Sequence, residues 1–174
     1  MTPIVHEMRS GARLVCLRES SDERGGVIEF ELQEIGVPPI TRELVVASHV
    51  DVLRGLHFQD APAPLTKIVH CMQGRVLEAV VDMRTGEADW LTLLDCKQAL
   101  IVPPWCAHGY RVISTEGALV HYSFDGPRSI DHERAIRWDS AGVNWPKTDT
   151  PILSLRDAEA PTLKEVMQGT RWTQ

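Results

Sequence analysis

Short segments rich in β-branched and aromatic residues recur along most of this chain, and Gly, Pro, Asp or Thr-Gly turns separate many of them. The segments lie at residues 13–17, 27–32, 44–48, 52–59, 67–72, 75–83, 90–94, 99–102, 109–113 and 118–124. Closely spaced short strands interrupted by turn residues are typical of antiparallel sheets. The pattern therefore predicts an antiparallel sandwich or barrel.

Two local signals concern the connections between these strands. Residues 72–75 predict a tight reversal, since a Gln-Gly pair lies there between two strand-like segments. Pro103 and Pro104 cannot continue a central strand, so we expect a loop at this point that delivers His108 to a functional position.

Helix is expected only late in the chain, at residues 130–136 and 160–167. In the second segment, Pro161 lies near the start and Gly169 lies beyond the end, which is the usual arrangement of these two residues around a short helix.

Length and charge exclude several classes of protein. A chain of 174 residues fits one domain, residues 1–174, and a net charge of -6 argues against non-specific nucleic-acid binding. Its apolar runs are too short to span a bilayer, and the first residues lack the apolar core of a secretion signal. We therefore expect a cytoplasmic protein with no membrane segment. The four cysteines form no CxxC pair, which predicts reduced thiols.

A base and two cations lie close together in the middle of the sequence. Strict alternation along a strand would direct Arg54 and His57 to opposite faces, so both can reach one site only if Gly55 forms a kink or bulge. Lys67 begins the next strand on the face opposite His70, where it could stabilise an enolate oxygen or a phosphate. These groups suit proton removal beside a carbonyl of an anionic substrate. Taken alone, such a pair is more often a satisfied histidine and a surface charge.

The spacing of residues in the sequence argues against other kinds of site. The histidines at 49, 57, 70, 108 and 121 show no HxH or HExxH arrangement, so we expect no metal. The chain has no Gly-x-Gly-x-x-Gly, P-loop or Gly-x-Ser-x-Gly segment, so we expect no cofactor and no serine-hydrolase elbow. Asp82 lies in an apolar strand, which predicts structural pairing with Arg84.

From about residue 22 to residue 157, the chain resembles the dTDP-4-dehydrorhamnose 3,5-epimerase family. The matching segments are 22–29, 53–57, 81–84, 103–109, 137–139 and 142–146, together with Lys67 at the expected spacing. The resemblance implies an all-β, cupin-like β-jelly roll with short late helices, assembled as a homodimer. It also implies epimerisation at C3 and/or C5 of a nucleotide-linked 4-keto-6-deoxy-sugar, without cofactor or metal.

The resemblance further implies roles for individual residues. His57 would remove the proton, Asp157 would orient His57, and Lys67 and His108 would stabilise the enolate. Two candidates remain for the general acid. Counting back from Trp138 reaches Tyr122, whereas counting forward from the His-Gly-aromatic turn reaches His121. We prefer Tyr122, because one extra residue in the turn at 114–117 reconciles the two counts. His121 stays the alternative, since a one-residue slip in register moves a side chain to the opposite face.

Substrate contacts are implied at several basic and polar positions: Arg24, Glu29, Arg42, Ser48, Arg54 and His108. In relatives the edge that carries Arg24 and Glu29 reaches the nucleotide across a dimer interface, while Arg54 and Arg42 would hold the diphosphate.

Three departures from the family pattern keep other functions open. Val27 replaces an aromatic residue that stacks on the base, residues 42–46 replace a polar segment, and Ser123 replaces a lysine. One alternative is therefore a single-carbon epimerase that acts on a non-thymidine nucleotide sugar. Another is a non-catalytic jelly roll that binds a sugar nucleotide.

Overall fold

The computed structural model describes residues 4–94, 96–146 and 150–169. Its strands are β1 (Ile4–Glu7), β2 (Arg13–Cys16), β3 (Arg18–Asp22), β4 (Gly25–Glu29), β5 (Arg42–Ser48), β6 (Leu53–Gln59), β7 (Lys67–Gln73), β8 (Arg75–Asp82), β9 (Ala88–Leu94), β10 (Gln98–Val102), β11 (Cys106–Val112), β12 (Ala118–Phe124) and β13 (Glu133–Ala135). Two short helices follow, α1 (Leu155–Ala158) and α2 (Leu163–Gly169), and 3-10 turns lie at Leu32–Ile35 and Ile130–His132.

The strands form two antiparallel sheets that pack face to face. One sheet has the order β1-β2-β10-β7-β12-β5 and the other β13-β6-β11-β8-β9, while β3 and β4 form a separate hairpin. Neighbours in space are mostly distant in sequence, as in a jelly roll. The predicted all-β, cupin-like β-jelly roll with short late helices is therefore confirmed.

The main core lies between the two sheets. Val69, Val80, Leu100 and Val120 are fully buried there, and burying such a side chain contributes about 1.5–3 kcal/mol. Alternation along β7 explains how one strand serves two surfaces, because Val69 faces this core whereas Ile68 packs in a second cluster on the outer face.

The prediction of helix at residues 130–136 is wrong beyond its first turn. A 3-10 turn at Ile130–His132 leads directly into β13, which pairs with β6. The exposed edge of β6 offers a ladder of backbone donors and acceptors, and that pairing overrides the local helical preference. The helix predicted at residues 160–167 is present as α2, although Gly169 ends it rather than lying beyond it.

The predicted loop at Pro103 and Pro104 is present between β10 and β11. His108 itself lies within β11, so the histidine has a strand position and not a loop position. The reversal at residues 72–75 is confirmed, with Gly74 at φ +80 between β7 and β8. Asp82 pairs with Arg84 at 2.7 Å, as predicted.

Some predictions reach past what the structure describes. The single-domain range of 1–174 includes residues 1–3 and 170–174, which lie outside the described residues. Across the described ranges, no helix is long and apolar enough to cross a membrane. Within the same ranges, no cluster of three His, Cys, Asp or Glu side chains could hold a metal ion. The cysteines are thiols, with Cys71 and Cys106 buried and Cys16 and Cys96 partly exposed.

Candidate active site

A cavity of about 520 Å³ opens between the two sheets. The side chains around it that can carry a charge or a proton are Arg42, Arg54, His57, Lys67, His108, Tyr122, Arg128, Glu133, Arg156 and Asp157. A parallel bridge between Val52 and Ile152 brings the late segment alongside β6. Residues separated by about 100 positions in the sequence therefore face the same space.

A bulge in β6 brings Arg54 and His57 to this cavity together. His57 faces His108 and Arg54 faces Tyr110 across the sheet, so β6 has one residue more than β11 between these two pairs. Gly55 lies in the extra stretch at φ +118, and a Cβ there would lie 2.6 Å from the backbone of the facing strand. Only glycine fits this conformation and this spacing. The predicted bulge at Gly55 is thus confirmed.

His57 forms a short hydrogen bond with Asp157, 2.6 Å from Nε2 to Oδ1. Asp157 is buried in α1, whose N-cap Ser154 accepts a hydrogen bond from the Asp157 backbone N–H. Burial raises the pKa of Asp157, but the hydrogen bond and charge of His57 outweigh that effect and lower it overall. An ionised Asp157 that accepts Nε2–H leaves the Nδ1 lone pair of His57 available to take a proton.

Lys67 lies at the start of β7 with its ammonium group in the cavity wall. Its Nζ donates a hydrogen bond to the backbone oxygen of His57 at 2.9 Å. Burial lowers the pKa of Lys67 to about 8, partly opposed by the nearby charges of Glu133 and Glu78. At neutral pH the group is a buried cation beside the proposed base.

His108 faces a fully buried carboxyl group that the sequence interpretation missed. Its Nδ1 lies 3.6 Å from Oε2 of Glu78, and these atoms have no hydrogen-bond partner among the described residues. Burial raises the pKa of Glu78 well above its usual value and lowers that of His108 well below its own. His108 is therefore neutral at neutral pH, and Glu78 keeps its proton to a higher pH than an exposed glutamate does. The available signal was a carboxylate at a core-facing position of β8, two residues from Val76 and Val80.

The two candidates for the general acid lie on opposite faces of β12. Tyr122 lines the cavity, with its ring centroid 5.8 Å from that of His108. Burial raises the pKa of Tyr122 well above its usual value, so the hydroxyl keeps its proton. His121 points to the outer face, where its Nε2 lies 3.3 Å from Glu43 and its ring is 6.5 Å from His70. The cavity therefore contains Tyr122 and not His121.

Two of the predicted substrate-binding arginines line the cavity. Arg54 donates through Nε to Ser48 Oγ at 2.9 Å, and that hydroxyl lies 2.8 Å from the hydroxyl of buried Tyr110. Ser48 thus fixes Arg54 from behind and does not itself line the cavity. Arg42 lies with its guanidinium carbon 4.9 Å from the centre of the Phe124 ring.

Arg24 and Glu29 lie apart from these residues, on the β3–β4 hairpin. The Arg24 side chain is 86% exposed and pairs with Asp22. Glu29 lies 3.6 Å from Arg18. Neither of these two predicted contacts lines the cavity of its own chain.

A family model described as dTDP-4-dehydrorhamnose 3,5-epimerase matches residues 9–165 of the chain. A protein of that name from Sinorhizobium fredii is 31% identical over 129 residues, covering 70% of this chain and 66% of the relative, just under two thirds of its length. A dTDP-4-dehydrorhamnose 3-epimerase from Streptomyces niveus is 36% identical over 128 residues, covering 66% of this chain and 58% of the relative.

Among solved structures, dTDP-4-dehydrorhamnose 3,5-epimerase from Bacillus anthracis, with TDP and PPi bound, is similar throughout. Its TM-score is 0.86 at 30% identity, and the match covers 92% of this chain and 99% of that protein.

Proposed function

The chain belongs to the dTDP-4-dehydrorhamnose 3,5-epimerase family, and we propose on this premise that it is an isomerase acting on a nucleotide-linked 4-keto-6-deoxy-sugar. It inverts C3 and/or C5 by removing a proton beside the keto group and returning one to the other face. The observation that carries this proposal is the His57–Asp157 pair, which faces the same cavity as Tyr122, Lys67 and His108.

The reaction begins at His57. Its Nδ1 takes the proton from the carbon beside the C4 carbonyl, and the electron pair of that C–H bond moves into an enolate. Asp157 stabilises the imidazolium that forms, because its ionised carboxylate accepts the Nε2–H. Lys67 supplies a positive charge and neutral His108 supplies an N–H donor to the enolate oxygen.

Tyr122 then returns a proton to the opposite face of the carbon. A phenol whose pKa is raised by burial is fully protonated before this step. The resulting tyrosinate takes up a proton from solvent and the His57 imidazolium releases one to solvent, so both groups return to their starting states. His57 on β6 and Tyr122 on β12 belong to different sheets, so base and acid can act on opposite faces of the carbon, as inversion requires.

The substrate's diphosphate binds to Arg54 and Arg42, which line the cavity and whose planar guanidinium groups suit phosphate oxygens. Arg24 and Glu29 act on the nucleotide of a second copy of the chain, within a homodimer. The exposure of Arg24 and the absence of Arg24 and Glu29 from the cavity lining support this arrangement. We further propose that the enzyme works in the cytoplasm.

A single-carbon epimerase is the second candidate. Where the family has a polar segment on β5, this chain presents Leu44 and Val46 to the cavity beside Arg42, so most of this wall is apolar. The 36% identity to a 3-epimerase also favours a single-carbon epimerase. The departures alter the wall that contacts the substrate and leave the His57–Asp157 pair intact, which argues against a non-catalytic binding protein.

Substitution of the base tests the proposal. His57→Asn should abolish exchange of the substrate's α-protons with heavy water when dTDP-4-keto-6-deoxy-glucose is supplied, because the substitution removes the imidazole that takes the proton. His132→Asn is the matched control, since His132 also contacts an aspartate, Asp60, at 3.0 Å, but lies outside the cavity. Normal exchange by His57→Asn would refute the assignment.

A further inference from the structure

A second cavity, of about 780 Å³, lies on the outer face of the six-stranded sheet. Residues 30–40 form one side of this outer cavity. The other side consists of alternate residues of β7 and β12, namely Ile68, His70, Met72, His121 and Ser123. Tyr122, between the last two, faces the catalytic cavity instead, and the described residues that line the two cavities do not overlap. Small-molecule sites usually have volumes of about 300–1,000 Å³.

His70 is a buried polar side chain in the wall of the outer cavity. It is 5% exposed, and its Nε2 lies 2.7 Å from the backbone oxygen of Cys96. Because a carbonyl oxygen only accepts, Nε2 carries a hydrogen and Nδ1 of the neutral ring has a free lone pair. Nδ1 makes no hydrogen bond within the described part of the chain, yet it is not one of the fully enclosed unpaired atoms there. A ligand in the outer cavity can therefore reach it.

The charge state of His70 determines what it can bind. Burial lowers the pKa of His70, the hydrogen bond to Cys96 opposes this effect, and the neighbouring His121 lowers the pKa further. The ring is therefore neutral at neutral pH. Since its Nε2–H is already used, the ring can only accept at Nδ1, so it selects a ligand that donates a hydrogen.

Apolar side chains cover much of the remaining wall without being covered themselves. Phe30 is 48% exposed, Met72 is 41% exposed and Ile40 is 39% exposed, and all three line the outer cavity. The Phe30 ring lies edge-on to the ring of His70, with centroids 4.6 Å apart. Clustered exposed apolar side chains commonly mark binding surfaces. The ligand that suits this wall therefore has an apolar body.

Carboxylates give the outer cavity its charge. Glu31, Glu34 and Glu43 line it, and none of the described residues that line it is a lysine or an arginine. Arg18 lies 3.5 Å from Glu31 and partly neutralises it. His121 contacts only Oε1 of Glu43, at 3.3 Å. The excess of carboxylates favours a cation and disfavours the diphosphate of a nucleotide sugar.

We propose that the outer cavity binds an organic ammonium ion with an apolar body, such as an arylalkylamine. The ammonium N–H donates to Nδ1 of His70, and the carboxylates at the rim supply the opposite charge within about a Debye length. The hydrocarbon part covers Phe30, Ile40 and Met72, and the aromatic ring of Phe30 adds a cation–π attraction. This site lies on the other face of the sheet from the proposed epimerase reaction and does not depend on it.

The first test compares three probes of similar shape by titration calorimetry with the full wild-type chain. 2-Phenylethylamine should bind, with an affinity that falls as salt rises. 2-Phenylethanol, which has no charge, should bind about 10-fold more weakly, and 3-phenylpropanoate should not bind. An alcohol or carboxylate that binds as tightly as the amine would overturn the proposal. Failure of the amine to bind would also overturn it, and that result is expected if a second copy of the chain covers this face.

The second test removes the two kinds of group that recognise the amine. His70→Phe keeps a ring but loses the lone pair, so it should bind 2-phenylethylamine about 10-fold more weakly. Glu43→Gln changes a side chain that is 60% exposed and leaves the fold intact. It should weaken binding about 2- to 5-fold. Glu7→Gln is the matched control, because Glu7 lies on β1 at the opposite edge of the same sheet. Equal affinities in the two glutamine variants would contradict the proposal.

A spectroscopic readout locates the bound amine. In protein with 15N-labelled histidine, the Nδ1 signal of His70 is the one that His70→Phe removes. It should move when 2-phenylethylamine is added and stay in place with 3-phenylpropanoate. If the amine binds and this signal does not move, the amine lies elsewhere and the proposal is wrong. None of these measurements uses a sugar nucleotide, so their failure would leave the proposed epimerase function standing.

Discussion

At the residue scale, burial changes the pKa of Lys67 and thereby the pH dependence of activity. Its pKa of about 8 makes it a cation at neutral pH that is lost in mildly alkaline solution. We therefore expect kcat/KM to fall as pH rises through about 8, because the neutral amine no longer stabilises the enolate. Tyr122 cannot cause this fall, since its pKa lies well above 10.

A pH–rate profile checks this expectation. Lys67→Gln should be strongly impaired and should lose the alkaline limb, because no group remains there to titrate. If the alkaline limb persists unchanged in Lys67→Gln, the titrating group is another residue.

The free energy of unfolding should change with pH in the opposite direction to activity. The unfolded chain holds the Lys67 proton up to about 10.5, so stability increases between about 8 and that value.

Glu78 gives a second prediction at the scale of one residue. Its pKa is raised by burial, so the folded chain holds a proton that the unfolded chain releases above its ordinary value. The contribution of Glu78 to the free energy of unfolding is therefore fully present at low pH and declines as pH rises above about 4.5. Glu78→Gln should unfold at a higher urea concentration than the wild type near neutral pH, and at the same urea concentration in acid.

The same substitution bears on His108. The Glu78 carboxyl group lies 3.6 Å from His108 Nδ1, beyond hydrogen-bond distance, and supports the ring by packing against it. A glutamine fills the same space, so Glu78→Gln should keep most activity, whereas Glu78→Ala leaves a cavity beside His108 and should lose it. Equal activities in these two variants would show that the carboxyl group does not orient His108.

At the scale of elements, the bulge in β6 is the feature on which the site depends. Gly55→Ala should cost about 3 kcal/mol or more, because the new Cβ meets Gly109 Cα at 2.6 Å and His108 O at 2.8 Å. Gly142→Ala is the control, since its φ is also positive at +70 but nothing lies within 4 Å. That change should cost about 1–2 kcal/mol. Similar losses of unfolding free energy in both variants would contradict the account of the bulge.

Some elements of the fold and the site can be predicted from the sequence and others cannot. Alternation and turn residues predict the long strands, and the spacing of Arg54, Gly55 and His57 predicts the bulge, because these signals are local. The sequence predicts helix where β13 forms, and it does not reveal the strand because the partner edge on β6 exists only in the folded chain. Glu78 was missed for a similar reason, since a carboxylate becomes significant only when both its burial and its neighbour His108 are known.

At the scale of the whole molecule, the separation of the β3–β4 hairpin from the cavity predicts a shared site. Arg24→Ala and His57→Asn should each be inactive alone. Mixed and allowed to exchange subunits, they should regain up to about one quarter of the wild-type rate, because half of the dimers would be mixed and each would contain one intact site. Arg137→Ala is a suitable control for Arg24→Ala, because it also removes an arginine paired with a nearby aspartate, Asp139. If a mixture shown to contain heterodimers does not recover activity, Arg24 of one subunit does not complete the site that contains His57 of the other, and the proposed shared site is wrong.

The central claim is that this cavity exchanges protons beside the keto group of a nucleotide-linked sugar. The most direct measurement is incubation of the wild-type enzyme with dTDP-4-keto-6-deoxy-glucose in heavy water, with deuterons counted by mass spectrometry and located by proton NMR. The account predicts deuterium at C3, at C5 or at both. Two labelled positions would identify a 3,5-epimerase and one a single-carbon enzyme. Intact substrate that binds the protein and gains no deuterium at either carbon would contradict the account.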